Sequence, residues 1–219
     1  MPPAATRAGR LSRDKIIAAV TELLETQGVD AVSTRTIGEA LQVHPTALYR
    51  HFRDMDELLR EAADSIMAGL VARMPELGEG AGLDGARTAC HDLRTVLMTH
   101  PGAARVMASG PSRMDNERAF TERVLGLLHE AGLSDADVVY GYHALVEFTV
   151  GSAAIDAIEA AAPASQEVVH RTWRADYLTS SPEAFPHTVR LAQDLYPSID
   201  EQFDYGIDLL VEGLRQRIA

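Results

Sequence analysis

Apolar residues recur at three- and four-residue spacing along most of the chain, and alternation at period two is nowhere sustained beyond a few residues. That spacing lines apolar side chains along one stripe of a helix. The first stripe, over 12–27, holds Ile16, Ile17, Val20, Leu23 and Leu24, and Gly28 stops it. Ser33 or Thr34 caps a second, shorter segment with Ile37, Ala40 and Leu41. After three turn residues a third segment starts at Pro45 and carries Leu48, Tyr49 and Phe52. Asp54 and Glu57 give a capping-box-like start to a helix over 54–73, with Leu58, Leu59, Ala62, Ile66 and Met67 on its apolar side. Pro75 and the glycine-rich run 78–85 predict a loop. Helical stretches follow near 86–99, 102–108, 116–131 and 135–161, interrupted by Pro163 to Ser165. A weaker helix covers 166–178, Ser180-Ser181-Pro182 turns the chain, and 183–195 and 200–217 are helical again. The expected fold class is all-α, with no internal repeat.

Residues 33–52 have the form of a helix-turn-helix, two short helices joined by a tight turn. The second helix is polar outside and basic at its end, as suits an element that enters a DNA major groove while its flanks touch phosphates. Pro45 stands at the first helical position, where its missing N–H costs nothing. His44, Pro45 and Thr46 would project toward base edges: His44 donates or accepts, Thr46 meets a thymine methyl or a polar edge, and Pro45 offers apolar contact.

Charge at first argues against nucleic acid, because the 219 residues carry a net −12. The distribution reverses that. Residues 1–53 hold seven Arg/Lys and five Asp/Glu, and the remainder hold 13 and 27. A local basic face is enough to displace phosphate counterions. One cysteine, Cys90, excludes an internal disulfide framework and suits a reducing compartment. No secretory segment is visible and no run approaches the length of a membrane span, so a cytoplasmic protein without a membrane partner is expected. No metal-ligand spacing, phosphate-binding glycine loop or nucleophile elbow is present, so neither catalysis nor a metal or cofactor is expected.

The segment 11–60 resembles the N-terminal domain of the TetR family of bacterial transcriptional regulators. The resemblance lies in Gln27-Gly28, Val32 to Ile37, Val43, Ala47-Leu48-Tyr49-Arg50-His51-Phe52 and Glu57-Leu58-Leu59. Weaker similarity to the tetracycline-repressor branch continues through Val96 to His100, Gly102 to Val106, Phe148 to Gly151, Phe203 to Leu210 and Gly213-Leu214. It implies a flexible basic arm over 1–10, a three-helix DNA-binding domain over 11–54, and a larger helical ligand-binding and dimerisation domain over 55–219. Arg35 resembles the family arginine that reaches guanine. Thr34, Tyr49 and His51 resemble its phosphate contacts, with Arg50 and Arg53 added. Many members carry a lysine where this chain has Met55. The arm residues Arg7, Arg10, Arg13 and Lys15 could make up for that anchor along the DNA backbone or in the minor groove.

The resemblance also implies a four-helix dimer interface. Tyr142, Val146 and Val150 would come from the helix near 135–161, and Ile207, Leu210 and Leu214 from the last helix, with Gly141, Gly151, Gly206 and Gly213 keeping both thin. A ligand pocket is implied among Met67, Val71, Leu93, Leu97, Met107, Val124, Leu127 and Trp173, with Cys90, His100 and His143 as polar handles; each also reads as plain core. The magnesium-ligating histidine of the tetracycline repressor aligns with Met107, and a thioether is a poor ligand for a hard cation. Magnesium–tetracycline is therefore not the expected inducer. The expected partners are a double-stranded DNA operator, a second copy of the chain and an unknown small-molecule effector. The functional reading is a repressor released from a palindromic operator by a mostly apolar inducer. The alternative is a helical small-molecule-binding or interaction module that has lost DNA binding.

Overall fold

Polar caps start several helices where the pattern places them. In the computed structural model, which describes residues 11–78, 80–160 and 166–218, the Ser12 hydroxyl accepts the Lys15 N–H at the start of α1 (Arg13–Gln27). Gly28 ends that helix at φ 77°, a backbone region that glycine enters without a Cβ penalty. Ser33 and Thr36 form a reciprocal capping box on α2 (Thr34–Leu41). The Asp54 carboxylate accepts the Glu57 N–H at 2.7 Å to open α3 (Met55–Val71). There follow α4 (Gly82–Thr99), α5 (Pro101–Ala108), α6 (Asp115–Glu130), α7 (Asp135–Ala160), α8 (Gln166–Leu178), α9 (Pro186–Leu191) and α10 (Ile199–Arg215). No strand occurs among the described residues.

Four expectations change. The segment after the turn is not an α-helix but a six-residue 3-10 helix, Pro45–Arg50, closed by the Ala47 N–H on the His44 carbonyl at 2.8 Å and the His51 N–H on the Leu48 carbonyl at 2.9 Å. The tighter winding buries Leu48 and leaves Tyr49 and Arg50 outside, with Phe52 turned back into the core. Next, α4 starts inside the expected loop 78–85. A Cβ at Gly85 would come within 2.9 Å of Leu127, so this glycine permits a close helix crossing rather than a turn. The helix over 183–195 shortens to Pro186–Leu191. Last, Asp135–Ala157 is long and apolar enough to cross a membrane by length and composition. Here it is the central helix, packed by α4, α5, α6 and α10, with Leu145, Thr149 and Ala153 buried. An apolar helix that four others pack against serves the core of a folded chain.

Two apolar clusters hold the chain. The larger joins Met67 and Leu70 of α3, Leu93 and Leu97 of α4, Phe120, Val124 and Leu127 of α6, Leu145 of α7 and Phe203 and Ile207 of α10. The smaller joins Ile16, Val20 and Leu24 of α1, Ile37 of α2, and Leu48 and Phe52. It also takes Leu58, Ala62 and Ala63 from α3 and Ala103 and Val106 from α5, so the N-terminal core continues past residue 54.

Gly38 makes the helix-turn-helix corner possible. A Cβ there would lie 2.9 Å from the Val43 carbonyl oxygen and 3.4 Å from the Pro45 ring. Gly38→Val is expected to destabilise the protein by about 1–3 kcal/mol through overpacking. Thermal melting followed by circular dichroism measures it, and an unchanged midpoint would show that the corner has room.

Candidate functional site

The helix-turn-helix presents a polar face. Arg35, His44, Thr46, Tyr49, Arg50 and Arg53 are exposed, and Thr34, Pro45 and His51 are half-buried beside them. Local partners orient several of these side chains. Arg35 lies 3.4 Å from Glu39 one turn on. The His44 ring accepts the Thr46 N–H through Nδ1, which is also 2.8 Å from the Thr46 hydroxyl. Arg53 pairs with Asp54 at 2.9 Å, and its backbone N–H, donated to Glu57, is the main cause holding that carboxyl below the usual range. Met55 packs half-buried against the N-terminal core, which accounts for an apolar residue where many family members carry a lysine. Gln42, in the left-handed region at φ 55°, turns the chain between the two helices and is also exposed.

Arg13 does not belong to a free basic arm. Its Nε donates to Glu61 at 2.8 Å, its Nη2 to Glu57 at 3.1 Å and to Glu61, and its Nη1 to the His51 carbonyl. The guanidinium lies 4.3 Å from the Phe52 ring centroid. The hydrogen bond to Glu61 is the main cause raising its pKa above the ordinary arginine value. Arg13 thereby clamps the end of the 3-10 helix to α3. The expected arm over 1–10, with Arg7 and Arg10, lies outside the described residues.

A cavity of about 590 Å³ opens among α3, α4, α5, α6 and α7. Met67, Leu93, Met107, Phe120, Val146 and Val150 give it apolar walls, and Tyr142, His143, Asp64, Ser112, Glu117, Thr121 and Glu147 add polar groups. Asp64 ties two walls together. Its carboxylate accepts the Ser112 hydroxyl at 2.9 Å, the Glu117 N–H at 2.9 Å, the Asn116 N–H at 3.2 Å and the Asn116 side-chain amide at 3.0 Å. The donors sit at the start of α6, where free N–H groups and the helix dipole favour an anion. The Tyr142 and Thr121 hydroxyls are 2.8 Å apart, and burial pushes the Tyr142 phenol above its ordinary value.

Of the expected pocket residues, Met67, Leu93, Met107 and His143 line this cavity. Leu97, Val124 and Leu127 are fully buried core instead, and Val71 packs against the same core. His100 stands 2.7 Å from Glu25 of α1 and joins the two clusters' helices. Trp173, on α8, packs on Tyr196 with ring centroids 5.0 Å apart. Cys90 is fully buried, and desolvation pushes its thiol up to about 11. It is a core residue rather than a polar handle. Sequence reading missed Asp64, Glu117, Thr121 and Glu147. Only Asp64 carried a signal: an acidic residue inside the apolar stripe that runs through Ala63 to Met67.

Within the single chain, the expected dimer residues face inward or pack half-buried on its core. Tyr142, Val146 and Val150 face the cavity. Ile207 is 0% exposed and Leu214 buried within the chain, with Leu210 half-buried on the same core. Helix α10 packs on a neighbouring face of α7, through Gly141 and Phe148. Phe148 stacks on Phe203 at 5.6 Å, a Cβ at Gly141 would meet Leu214 at 2.9 Å, and one at Gly206 would overlap the Phe148 ring. The outward faces carry a second apolar set, Tyr140 and Ile155 on α7 and Tyr205 and Leu209 on α10, with Tyr140 75% and Leu209 57% exposed. At Gly213, a Cβ would meet nothing within 4 Å.

Residues 16–62 match the family described as bacterial regulatory proteins, tetR family, and residues 74–218 match the tetracyclin repressor-like C-terminal domain. An HTH-type transcriptional regulator of Saccharopolyspora erythraea is 28% identical over 215 residues, covering 93% of this chain and 84% of the relative. The class C tetracycline repressor protein of Escherichia coli is 27% identical over 210 residues, covering 94% and 92%. The crystal structure of the Streptomyces coelicolor TetR family protein ActR in complex with actinorhodin superposes with a TM-score of 0.85 at 25% identity, covering 94% of this chain and 97% of that one. These relatives are transcriptional regulators, not enzymes.

The Asp64 junction yields a direct test. Asp64→Ala leaves four buried or half-buried donors without their acceptor. A loss of about 3 kcal/mol is expected, which lowers the melting temperature of a protein this size by about 6–12 °C. A shift under two degrees in differential scanning calorimetry would show that water replaces the carboxylate without penalty.

Proposed function

The chain belongs to the TetR family of bacterial regulatory proteins and is a DNA-binding transcriptional regulator; we propose that it acts in the cytoplasm as a homodimeric repressor that leaves a palindromic operator when a mostly apolar small molecule enters the cavity. The observation that carries this reading is the double membership of α5. Met107 and Ala108 at its end line the cavity, while Ala103 and Val106 belong to the core under the helix-turn-helix. Helix α3 does the same, with Leu58 and Ala62 in the N-terminal core and Asp64 and Met67 at the cavity. A ligand that prefers one setting of these helices changes the separation of two recognition elements in a dimer, which must match half-sites about 34–36 Å apart.

The reading elements are Arg35, His44, Pro45 and Thr46 toward base edges, with Thr34, Tyr49, Arg50, His51 and Arg53 toward phosphates. The proposed dimer contact is the outward face of α7 and α10, through Tyr140, Ile155, Tyr205 and Leu209. The ActR crystal structure holds actinorhodin in complex with that protein; the inducer proposed here is likewise a small molecule, of mostly apolar character. Magnesium–tetracycline is not proposed, because the Met107 thioether in the cavity wall suits a hard cation poorly.

Binding to the chain's own upstream DNA tests the reading, against the alternative of a helical ligand-binding module without DNA affinity. A shifted band that resolves to a palindromic footprint is expected. Arg35→Ala should weaken it by about 1–3 kcal/mol and relax one base position, and Tyr49→Ala should weaken it across sequences. No shift at low salt would favour the alternative, and wild-type behaviour of both variants would misplace the reading face.

Leu209→Glu sets a charge on the proposed dimer face without touching the chain's own core, since Leu209 is exposed. Burying an unpaired carboxylate between subunits is strongly unfavourable, so a folded monomer with lost operator affinity is expected by light scattering. A dimer of unchanged affinity would move the interface elsewhere.

A further inference from the structure

We propose that the cavity selects positively charged amphiphiles, with an apolar body and at least one basic or quaternary nitrogen. This rests on the cavity being the effector site. The lining holds three carboxylates, Asp64, Glu117 and Glu147, one imidazole, His143, and neither lysine nor arginine. Charge inside a low-dielectric enclosure is felt far more strongly than in water.

The three carboxylates differ in what they have left to give. Asp64 is 5% exposed, and its charge is spread over donors at the start of α6. It is structural. Glu117 accepts the Arg113 N–H at 3.1 Å on one oxygen and the Thr121 hydroxyl at 2.9 Å on the other. Both donors are neutral, and further lone pairs remain. Its charge on the cavity wall thus has no ionic partner in these contacts. Glu147 lies at the mouth, its side chain 75% exposed and 3.0 Å from the His143 Nδ1. One negative group therefore lies on the wall and one at the entrance. The Phe120 and Tyr142 rings also line the cavity, and aromatic rings attract cations. An anion would shed its water and find one group able to carry positive charge, His143, already engaged with Glu147.

Isothermal titration of the full-length, DNA-free protein with two three-ring probes tests this. Acridine orange is cationic at neutral pH, and anthraquinone-2-sulfonate is an anion of similar size. Acridine orange is expected to bind at least about tenfold more tightly, the difference one retained charge contact provides. Glu117→Gln with Glu147→Gln should weaken it about tenfold and leave the sulfonate unchanged or improved. Glu147→Gln alone, at an exposed site, should keep part of that effect should the double variant fail to fold. Val146→Trp, which fills the cavity, should abolish acridine orange binding. Equal affinity, preference for the sulfonate, no binding of acridine orange, or cation binding that survives the glutamine variants overturns the charge selection and leaves the effector-site reading standing. Acridine orange binding that survives Val146→Trp overturns both.

Discussion

Residues 11–54 bury too few side chains to form a core of their own, and α3 and α5 make up the shortfall by bringing in Leu58, Ala62, Ala63, Ala103 and Val106. Domains of such size are marginal without outside support. The support is tight. A Cβ at Gly102 would come within 2.5 Å of the Leu24 carbonyl oxygen, so α5 rests directly on the backbone of α1. Arg105 reaches Asp30 at 2.9 Å, and His100 reaches Glu25 at 2.7 Å. A DNA-reading unit that borrows its core from the walls of a cavity cannot hold still while those walls move.

Helix α3 connects the cavity wall to the DNA-reading unit. Near its start, Glu57 and Glu61 hold Arg13, which also grips the His51 carbonyl at the end of the 3-10 helix. Asp64, on the same helix, holds the start of α6, and Met67 lies in the cavity wall. Polar contacts thus tie the start and the middle of one helix to its neighbours, and the cavity wall follows one turn later at Met67. Closely packed cores rearrange between discrete settings rather than deform smoothly, so tilting α3 moves the recognition element as a body.

The helical architecture was legible because apolar spacing survives in almost every element. The 3-10 winding at Pro45–Arg50 was not, since a capping His44 and a proline at the first position open either kind of helix. The cavity was half legible. Met67, Leu93 and Met107 differ in no visible way from Leu97, Val124 and Leu127, which are plain core. Residue type and spacing show which side chains point inward, not where inward-facing helices stand apart. The proposed dimer face moves from the expected residues to the outward set for a related reason. Helix α7 has two apolar faces, and the purer one, with Val146 and Val150, looks into the chain. The outward one interleaves Tyr140 and Ile155 with Glu147, and mixed faces read as solvent-exposed.

Helix α7 therefore serves three neighbours at once: the chain's core through Leu145 and Ala153, the cavity through Val146 and Val150, and the proposed partner through Tyr140 and Ile155. The mouth of the cavity, at His143 and Glu147, borders that outward face. In the proposed reading, entry of a ligand and the geometry of the dimer are then one problem. A ligand that buries about 300 Å² of apolar surface gains about 7 kcal/mol. Only the part that differs between the two settings of the dimer can regulate DNA binding. About 1–3 kcal/mol of difference is enough for a useful switch, so most of the binding energy can be spent on affinity, and a small mismatch at α3, α5 or α7 in one setting supplies the rest.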